Sequence, residues 1–330
     1  MITRNLDIVY AADILRQLDN VLILTHVRPD GDALGSALGL AAMMRANMRR
    51  AQVLLPEALP EKYRSFAEQT GYLTEFPEDV AETFDAVIIL DCASSERIGS
   101  GREGAFPRED ISILNIDHHP GNSVQAEWSC VQPDAAATAE ILVKIAQLID
   151  WKLTPQAATL FLLGIITDTG CFRFSNTSPE TLRTAAYLLE NDAKESQIID
   201  AVYFSTPRSQ QLFAAEMIQN CTQLDFDGRF ACAVIPEELC AKYQFNMRDG
   251  ETLIESLREI RGVKIAALLY TANDGRVKIS LRSKDPKTPV GPLARSLGGG
   301  GHEMAAGITM AGCDLPEAAA ILRGEVSKLL

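Results

Sequence analysis

The sequence predicts an α/β protein in which a parallel-sheet domain is joined by a helical connector to a smaller α/β domain. Three observations carry that expectation. Apolar runs of strand length alternate with helical patterns through the first half of the chain, which implies a parallel sheet covered on both faces. The 330 residues suit two domains of about 100–200 residues each. Apolar residues make up 47% of the chain, enough for two sizeable cores.

The N-terminal stretch MITRNLDIVYAADILRQLDN is an amphipathic helix pattern with charges throughout and no apolar signal core. Residues 21–24 form a strand and 34–48 a helix, with a further strand over 52–55. Residues 86–91, AVIILD, make a strongly apolar strand that ends in an aspartate, and 112–117, SILNID, make another. Helices follow over 136–148 and 155–167, the second with proline at its start. From 179 to 220 the pattern is helical with one polar side, and the lack of a Gly/Ser-rich tract predicts a semi-rigid hinge. We place the domains at 1–185 and 221–330, with 186–220 as the connector. In the second domain 230–235 is a strand and 250–260 a helix. Strands over 263–270 and 276–283 are joined by Ala-Asn-Asp-Gly, a strong hairpin signal. A helix over 292–297, a glycine-rich loop, a strand over 305–310 and a helix over 316–329 follow.

The net charge of −13 argues against a protein that coats a long nucleic-acid duplex. The charge is uneven: residues 1–185 hold 15 Lys and Arg against 25 Asp and Glu, whereas 258–295 hold nine basic residues against three acidic. An acidic first half suits metal binding and a locally basic second half suits an anionic substrate, although most of these charges also fit ordinary solvated surface. The seven cysteines, with no C-x-x-C pair, suit buried thiols in a reducing cytosol better than a disulfide framework. The longest apolar stretch, around 157–166, is shorter than the roughly 20 residues that span a bilayer. The expectation is a cytoplasmic protein with no membrane partner.

The chemistry concentrates at element ends. In LILTHVRPDGDALGS, residues 22–36, a strand is followed by His26, Asp30 and Asp32. Pro29 fixes one backbone angle and Gly31 permits an unusual one, so both carboxylates can bend towards one point. One imidazole and two carboxylates make a half-site for a divalent cation, suiting manganese, iron or cobalt better than calcium. The same residues also read as a polar turn with Asp32 as a helix cap. Only four histidines occur, His26, His118, His119 and His302, and all fall in loops at element ends. Asp91, Asp117 and Asp168 stand at comparable places, beyond strand or helix ends, where parallel sheets gather ligands. If Asp30, Asp32, Asp91 and Asp168 converge, like charges would raise some of their pKa values sharply. Two divalent cations would cancel that charge, and paired metals about 3.5–4 Å apart can generate a hydroxide nucleophile for in-line phosphoryl transfer. Any one of these aspartates alone fits a cap or a turn. Finally, Gly298, Gly299, Gly300 and Gly301 precede His302. Each glycine costs about 0.5–1 kcal/mol against alanine, so four together ask for a reason. Exposed amides beside a phosphate would supply one, and a tight structural turn another. Lys278, Arg282 and Lys284 lie on the strand before it, and the Arg282 fork suits phosphate.

The residues HVRPDGDALGS, LDCASSERIG, NIDHHPGN, GIITDTGCFRFSNTS and SLRSK…GGGGHEMAAG, in that order, resemble the DHH phosphoesterase superfamily. The last of them resembles the DHH-associated domain of one of its two branches. Length and motif set are similar to its bacterial oligoribonuclease and 3′-phosphoadenosine 5′-phosphate (pAp) phosphatase group. The lysine-rich signature of the pyrophosphatase branch is missing, and the added nucleic-acid module of the longer single-strand exonucleases is not expected. The resemblance implies two manganese ions, one held by His26, Asp30 and Asp91 and the other by Asp32, Asp91, His118 and Asp168, with Asp91 bridging. It implies that Asp117 orients its neighbours and that His119 faces the scissile phosphate as electrostatic stabiliser or proton donor. Arg282, Gly298, Gly299, Gly300, Gly301 and His302 would grip the substrate's terminal phosphate or nucleotide, in a cleft between the domains. The implied activity is exonucleolytic RNA degradation, releasing 5′-mononucleotides from short single-stranded RNA, with conversion of pAp to AMP. Two alternatives stay open: a hydrolase of dinucleotide signals such as c-di-AMP or pApA, and a catalytically inactive nucleotide-binding regulator. A homodimer is also left open.

Overall fold

The computed structural model describes residues 3–55, 59–77, 79–98, 111–247 and 250–330; Gly99, the last residue of the LDCASSERIG motif, lies outside them. The chain divides into two units, Met1–Ser205 and Thr206–Leu330. The division falls inside the 186–220 segment, and Leu188 and Ile198 are buried in the core of the first unit.

The first unit runs β1 (Arg4–Asn5), α1 (Ile8–Gln17), β2 (Asn20–Leu24), α2 (Gly31–Ala46), β3 (Arg50–Val53), α3 (Glu61–Thr70), α4 (Val80–Thr83), β4 (Ala86–Leu90), β5 (Ser112–Asp117), β6 (Trp128–Val131), α5 (Thr138–Leu148), α6 (Pro155–Asp168), α7 (Pro179–Glu190) and α8 (Glu195–Tyr203). Among the described residues its six strands are ordered β1-β6-β5-β4-β2-β3, and every neighbouring pair is parallel. β2 and β4 are buried along their whole length, which is why they read as continuous apolar runs without alternation. One face of the sheet packs Val21, Ile23, Ile88 and Leu90 against helix residues such as Leu38, Ile141 and Phe161. The other packs Leu22, Leu24, Val87 and Ile89 against Val80, Phe84, Val124 and Ala126.

The helix α2 is buried from Gly31 to Met44. Its glycines explain how. A Cβ at Gly35 would stand 2.5 Å from the Leu160 carbonyl oxygen and 2.7 Å from the Gly164 nitrogen, so α2 and α6 meet backbone to backbone. Gly31 faces Thr167 and Gly39 faces the Phe161 ring, so the two helices run in opposite directions. The start of α2 therefore lies beside the end of α6.

The second unit runs α9 (Arg208–Glu216), a π-helical turn (Met217–Cys221), β7 (Thr222–Asp225), β8 (Phe230–Ile235), α10 (Glu237–Tyr243), α11 (Glu251–Arg258), β9 (Ile265–Thr271), β10 (Val277–Ser283), α12 (Val290–Ser296), β11 (Gly300–Gly301), β12 (Ala305–Met310) and α13 (Leu315–Val326). Its sheet is ordered β11-β12-β10-β9-β8-β7, with β8 and β9 parallel and the other pairs antiparallel. The expected hairpin is β9–β10, closed where the Ala272 amide donates to the Arg276 carbonyl at 2.9 Å. Along β10, Val277, Ile279 and Leu281 enter the core with Val290, Leu293 and Leu322, while Lys278, Ser280 and Arg282 lie half-buried on the other face. Among the described residues no helix is long and apolar enough to cross a membrane.

Candidate metal centre

Three neighbouring parallel strands deliver the first set of side chains to one edge of the sheet. His26 lies just past β2, Asp91 immediately follows β4, and Asp117 ends β5 with His118 and His119 behind it. Asp91 has φ +52°, a left-handed conformation that Asp tolerates better than most residues. Asp30 caps α2: its carboxylate accepts from the amides of Asp32 and Ala33, each at 3.1 Å. The capping role that the sequence offered to Asp32 thus belongs to Asp30, because Asp30 is still extended while Asp32 already lies in the first turn. Asp32 caps a different helix. Its carboxylate accepts from the Thr138 amide at 2.6 Å and the Ala139 amide at 3.1 Å, the opening amides of α5. Ala137, the residue before α5, has no side chain that could do this. Ser36 Oγ donates to the same carboxylate at 3.1 Å.

Asp91 stands between two imidazoles. Its Oδ2 is 3.8 Å from His26 Nε2 and its Oδ1 is 3.5 Å from His118 Nε2. His26 Nε2 also lies 3.9 Å from Asp30, and His118 Nε2 lies 3.9 Å from Asp32 and 3.6 Å from Asp168. The result is two groups, His26–Asp30–Asp91 and Asp32–His118–Asp168, each with its ligand atoms within 4.8 Å of one another. Asp91, Asp117, His118 and His119 form a third grouping of the same kind. The Nδ1 atoms face backbone carbonyls, that of His26 at 2.8 Å from Val27 and that of His118 at 3.2 Å from Ala135, which turns both Nε2 atoms towards the acids. Thr138 Oγ1 donates to Asp91 Oδ1 at 3.2 Å.

Crowded acids perturb one another. Burial, and then Asp32, Asp30, Asp117 and Asp168, hold the Asp91 carboxyl well above its ordinary range. Burial pushes Asp168 up to about 8 against the pull of His118, with Asp32, Asp30 and Asp117 adding to the rise. Burial raises Asp32 as well, against the pull of His118. Burial would lower His118, but Asp168, Asp32 and Asp117 together raise it. At Asp30 burial is overcome by His26 and by the bond from the Ala33 amide, and its carboxyl falls below the usual value. Carboxylates buried and crowded together, beside imidazoles aimed inward, are a donor set that could hold divalent metal.

Asp117 is engaged differently. Its Oδ1 accepts from the His118 amide at 2.8 Å and from His119 Nδ1 at 2.7 Å, and its Oδ2 from Asn122 Nδ2 at 2.5 Å. Burial would raise its pKa, but the bonds from His119 and Asn122 lower it. Four residues at the centre were not singled out in the sequence. Ser36, Asn122 and Arg97, whose Nη2 is 3.3 Å from His26 Nδ1, sit inside the quoted motifs, which carry no mark of which way a side chain turns. Thr138 lies 106 residues from the carboxylate it binds and left no local signal.

In the second unit Arg282 Nε lies 3.3 Å from Glu255 Oε1, and its Nη1 donates to the Leu281 carbonyl at 3.0 Å. The glycine run is largely structural. Gly298 ends α12 at φ +76°, and the amides of Gly298 and Gly299 donate to the Arg295 and Ala294 carbonyls at 3.1 and 2.7 Å. Those two amides close a helix, so the expected amide cradle is not built from them. A Cβ at Gly299 would strike the Gly307 carbonyl, and Gly301 has φ +130°, whereas Gly300 has open space around it. His302 follows directly after β11.

The description of the DHH family, N-terminal domain, fits residues 20–165, and that of the DHHA1 domain fits residues 227–328. The chain is 33% identical over 308 residues to the bifunctional oligoribonuclease and PAP phosphatase NrnA of Thermus thermophilus, covering 93% of this chain and 89% of that protein. Its fold is similar to that of an exopolyphosphatase-related protein from Bacteroides fragilis, with a TM-score of 0.87, 23% identity and coverage of 97% and 95%. It is also similar to RecJ of Thermus thermophilus in complex with Mn2+, with a TM-score of 0.57, 15% identity and coverage of 97% of this chain and 55% of that one.

Proposed function

Because the chain belongs to the DHH family of phosphoesterases and carries a DHHA1 domain, we propose that it is a manganese-dependent cytoplasmic hydrolase of short oligoribonucleotides that also removes the 3′-phosphate of pAp. The observation that carries this reading is the place of Asp91, one carboxylate oxygen towards each of two His–Asp groups. In this reading His26, Asp30 and Asp91 hold one manganese, and Asp32, Asp91, His118 and Asp168 the other. The donor chemistry fits: imidazole with carboxylate suits manganese, the metal bound by the structural neighbour RecJ. Bound there, the cations supply charge neutralisation and Lewis acidity towards water and a phosphoryl oxygen.

The remaining work belongs to the chain. Thr138 and the α5 amides hold Asp91 and Asp32 in place. His119, with Nδ1 bonded to Asp117, turns Nε2 to the other side of the ring, where it would steady the phosphate or give a proton to the leaving oxygen. Arg282, His302 and the glycine loop at Gly300 and Gly301 would hold the terminal phosphate or nucleotide. The net charge of −13 agrees with a short substrate, which needs a few local cationic contacts and no basic channel.

The deciding experiment is product analysis with manganese on a labelled RNA dinucleotide and on pAp, alongside oligonucleotides up to the pentamer and c-di-AMP. The expected products are 5′-mononucleotides and AMP. Faster turnover of c-di-AMP than of the RNA dinucleotide and pAp would replace this reading with a dinucleotide-signal hydrolase. Tight pAp binding without any turnover would replace it with a regulator.

A further inference from the structure

The last residue of NIDHHPGN is hydrogen-bonded to Asp117. Asn122 is half-buried, and its side chain is fully engaged. Nδ2 donates to Asp117 Oδ2 at 2.5 Å and to the Cys92 carbonyl at 2.9 Å, while Oδ1 accepts from the Val124 amide at 2.9 Å. A primary amide has two N–H donors, and here each has its own acceptor. Asn122 therefore ties three segments together: the turn that begins at Asp91, the end of β5, and its own loop. The bond to Oδ2 stops the Asp117 carboxylate from rotating. That leaves Oδ1 to the His118 amide and to His119 Nδ1. The His118 ring is held separately, by the Ala135 carbonyl, so the one imidazole that the chain of bonds from Cys92 through Asn122 and Asp117 reaches directly is that of His119, whose Nδ1 also lies 3.5 Å from Asp91 Oδ1.

We propose that Asn122 is a positioning residue that acts on His119 through Asp117. By fixing the carboxylate it fixes the imidazole with its proton on Nδ1 and presents Nε2 to the substrate. The kinetic consequence rests on the phosphoesterase reading; the consequence for the ring does not. Metal affinity should change less than turnover, because the hydrogen bonds given to Asp32 and Asp91 come from Thr138, Ala139 and Ser36, and Asn122 reaches the metal-binding residues only through the His118 amide and the His119 ring.

The test uses 15N-histidine NMR on the magnesium-loaded full chain, where four histidines give few signals. The wild-type His119 ring is expected as the Nδ1–H tautomer with a slowly exchanging proton. Asn122→Asp keeps the shape and the acceptor for Val124 but sets a negative charge against Asp117; Asn122→Ala removes the whole clamp. Both variants are expected to lose that signal and to lower kcat on the RNA dinucleotide about 10–100-fold. KM and manganese affinity, the latter by calorimetry, are expected to change far less than kcat. A wild-type His119 protonated on Nε2 overturns the proposal even if neither variant folds. Unchanged His119 signals and kcat, or metal affinity falling in step with kcat, overturn it as well. A wild-type enzyme that turns over no phosphoester would instead sink the functional reading, and the NMR comparison would still decide the role of Asn122.

Discussion

At Asp91 the backbone and the chemistry make separate demands on one residue. The left-handed φ of +52° is tolerated by Asp and Asn but strains other side chains, while the buried carboxylate faces a histidine on either side. Asparagine keeps the shape and removes the charge. Asp91→Asn should abolish hydrolysis of the dinucleotide and of pAp in rate assays. In chelator-treated protein it should raise the melting temperature, since it deletes a carboxylate that four others repel. A lower melting temperature there would show that the acids are not in conflict. Asp91→Ala should melt below Asp91→Asn, because alanine in this conformation costs about 1–2 kcal/mol. Arg282 belongs to the second unit, so Arg282→Ala should raise KM and leave metal content intact; loss of metal would put that residue in the wrong role.

Among the elements, the seam between α2 and α6 sets the spacing of Asp32 and Asp168. Gly35→Ala would drive a methyl into the Leu160 carbonyl and the Gly164 nitrogen, backbone atoms that cannot swing aside. The expected cost is about 1–3 kcal/mol by denaturant melting, with weaker manganese binding as the two aspartates part. A variant of full stability and full affinity would show the seam to be loose. Element by element, the sequence announced what local pattern can announce. The strands over 112–117, 230–235 and 305–310 stand where their apolar runs end, and α2 begins three residues early only because Asp30 caps it. β1 and β6 left no signal, since Arg4–Asn5 is two exposed residues paired with Trp128 and Ser129, far along the chain. Likewise His26, Asp30, Asp32, Asp91, His118 and Asp168 could be named as candidates from their places at element ends. The bonds that hold them, from Thr138 to Asp32 or from Asn122 to Asp117, join residues that no short window contains or that no spacing orients.

For the molecule as a whole, the acid cluster predicts how stability follows pH. Asp168 titrates near 8 in the fold against an ordinary 3.8, so between those values the folded state holds a proton that the unfolded chain has lost. Stability of the metal-free protein should therefore fall as pH rises from about 4 to about 8. His118, raised by its acidic neighbours, contributes in the same direction, and Asp30 and Asp117, both lowered, matter only in stronger acid. Manganese should flatten this trend and raise the melting temperature, by about 2.7 kcal/mol of stability at a hundredfold excess over its Kd. Melting curves across pH, with manganese and with chelator, check both points; a metal-free protein that grows more stable through that window would refute the charge assignment.

The two His–Asp groups draw on stretches as far apart as His26 and Asp168, threaded through one sheet. A nascent polypeptide halted anywhere short of Asp168 would carry most of the chelating side chains and still lack a finished cradle. A product truncated before Asp168 would therefore be silent instead of partly active.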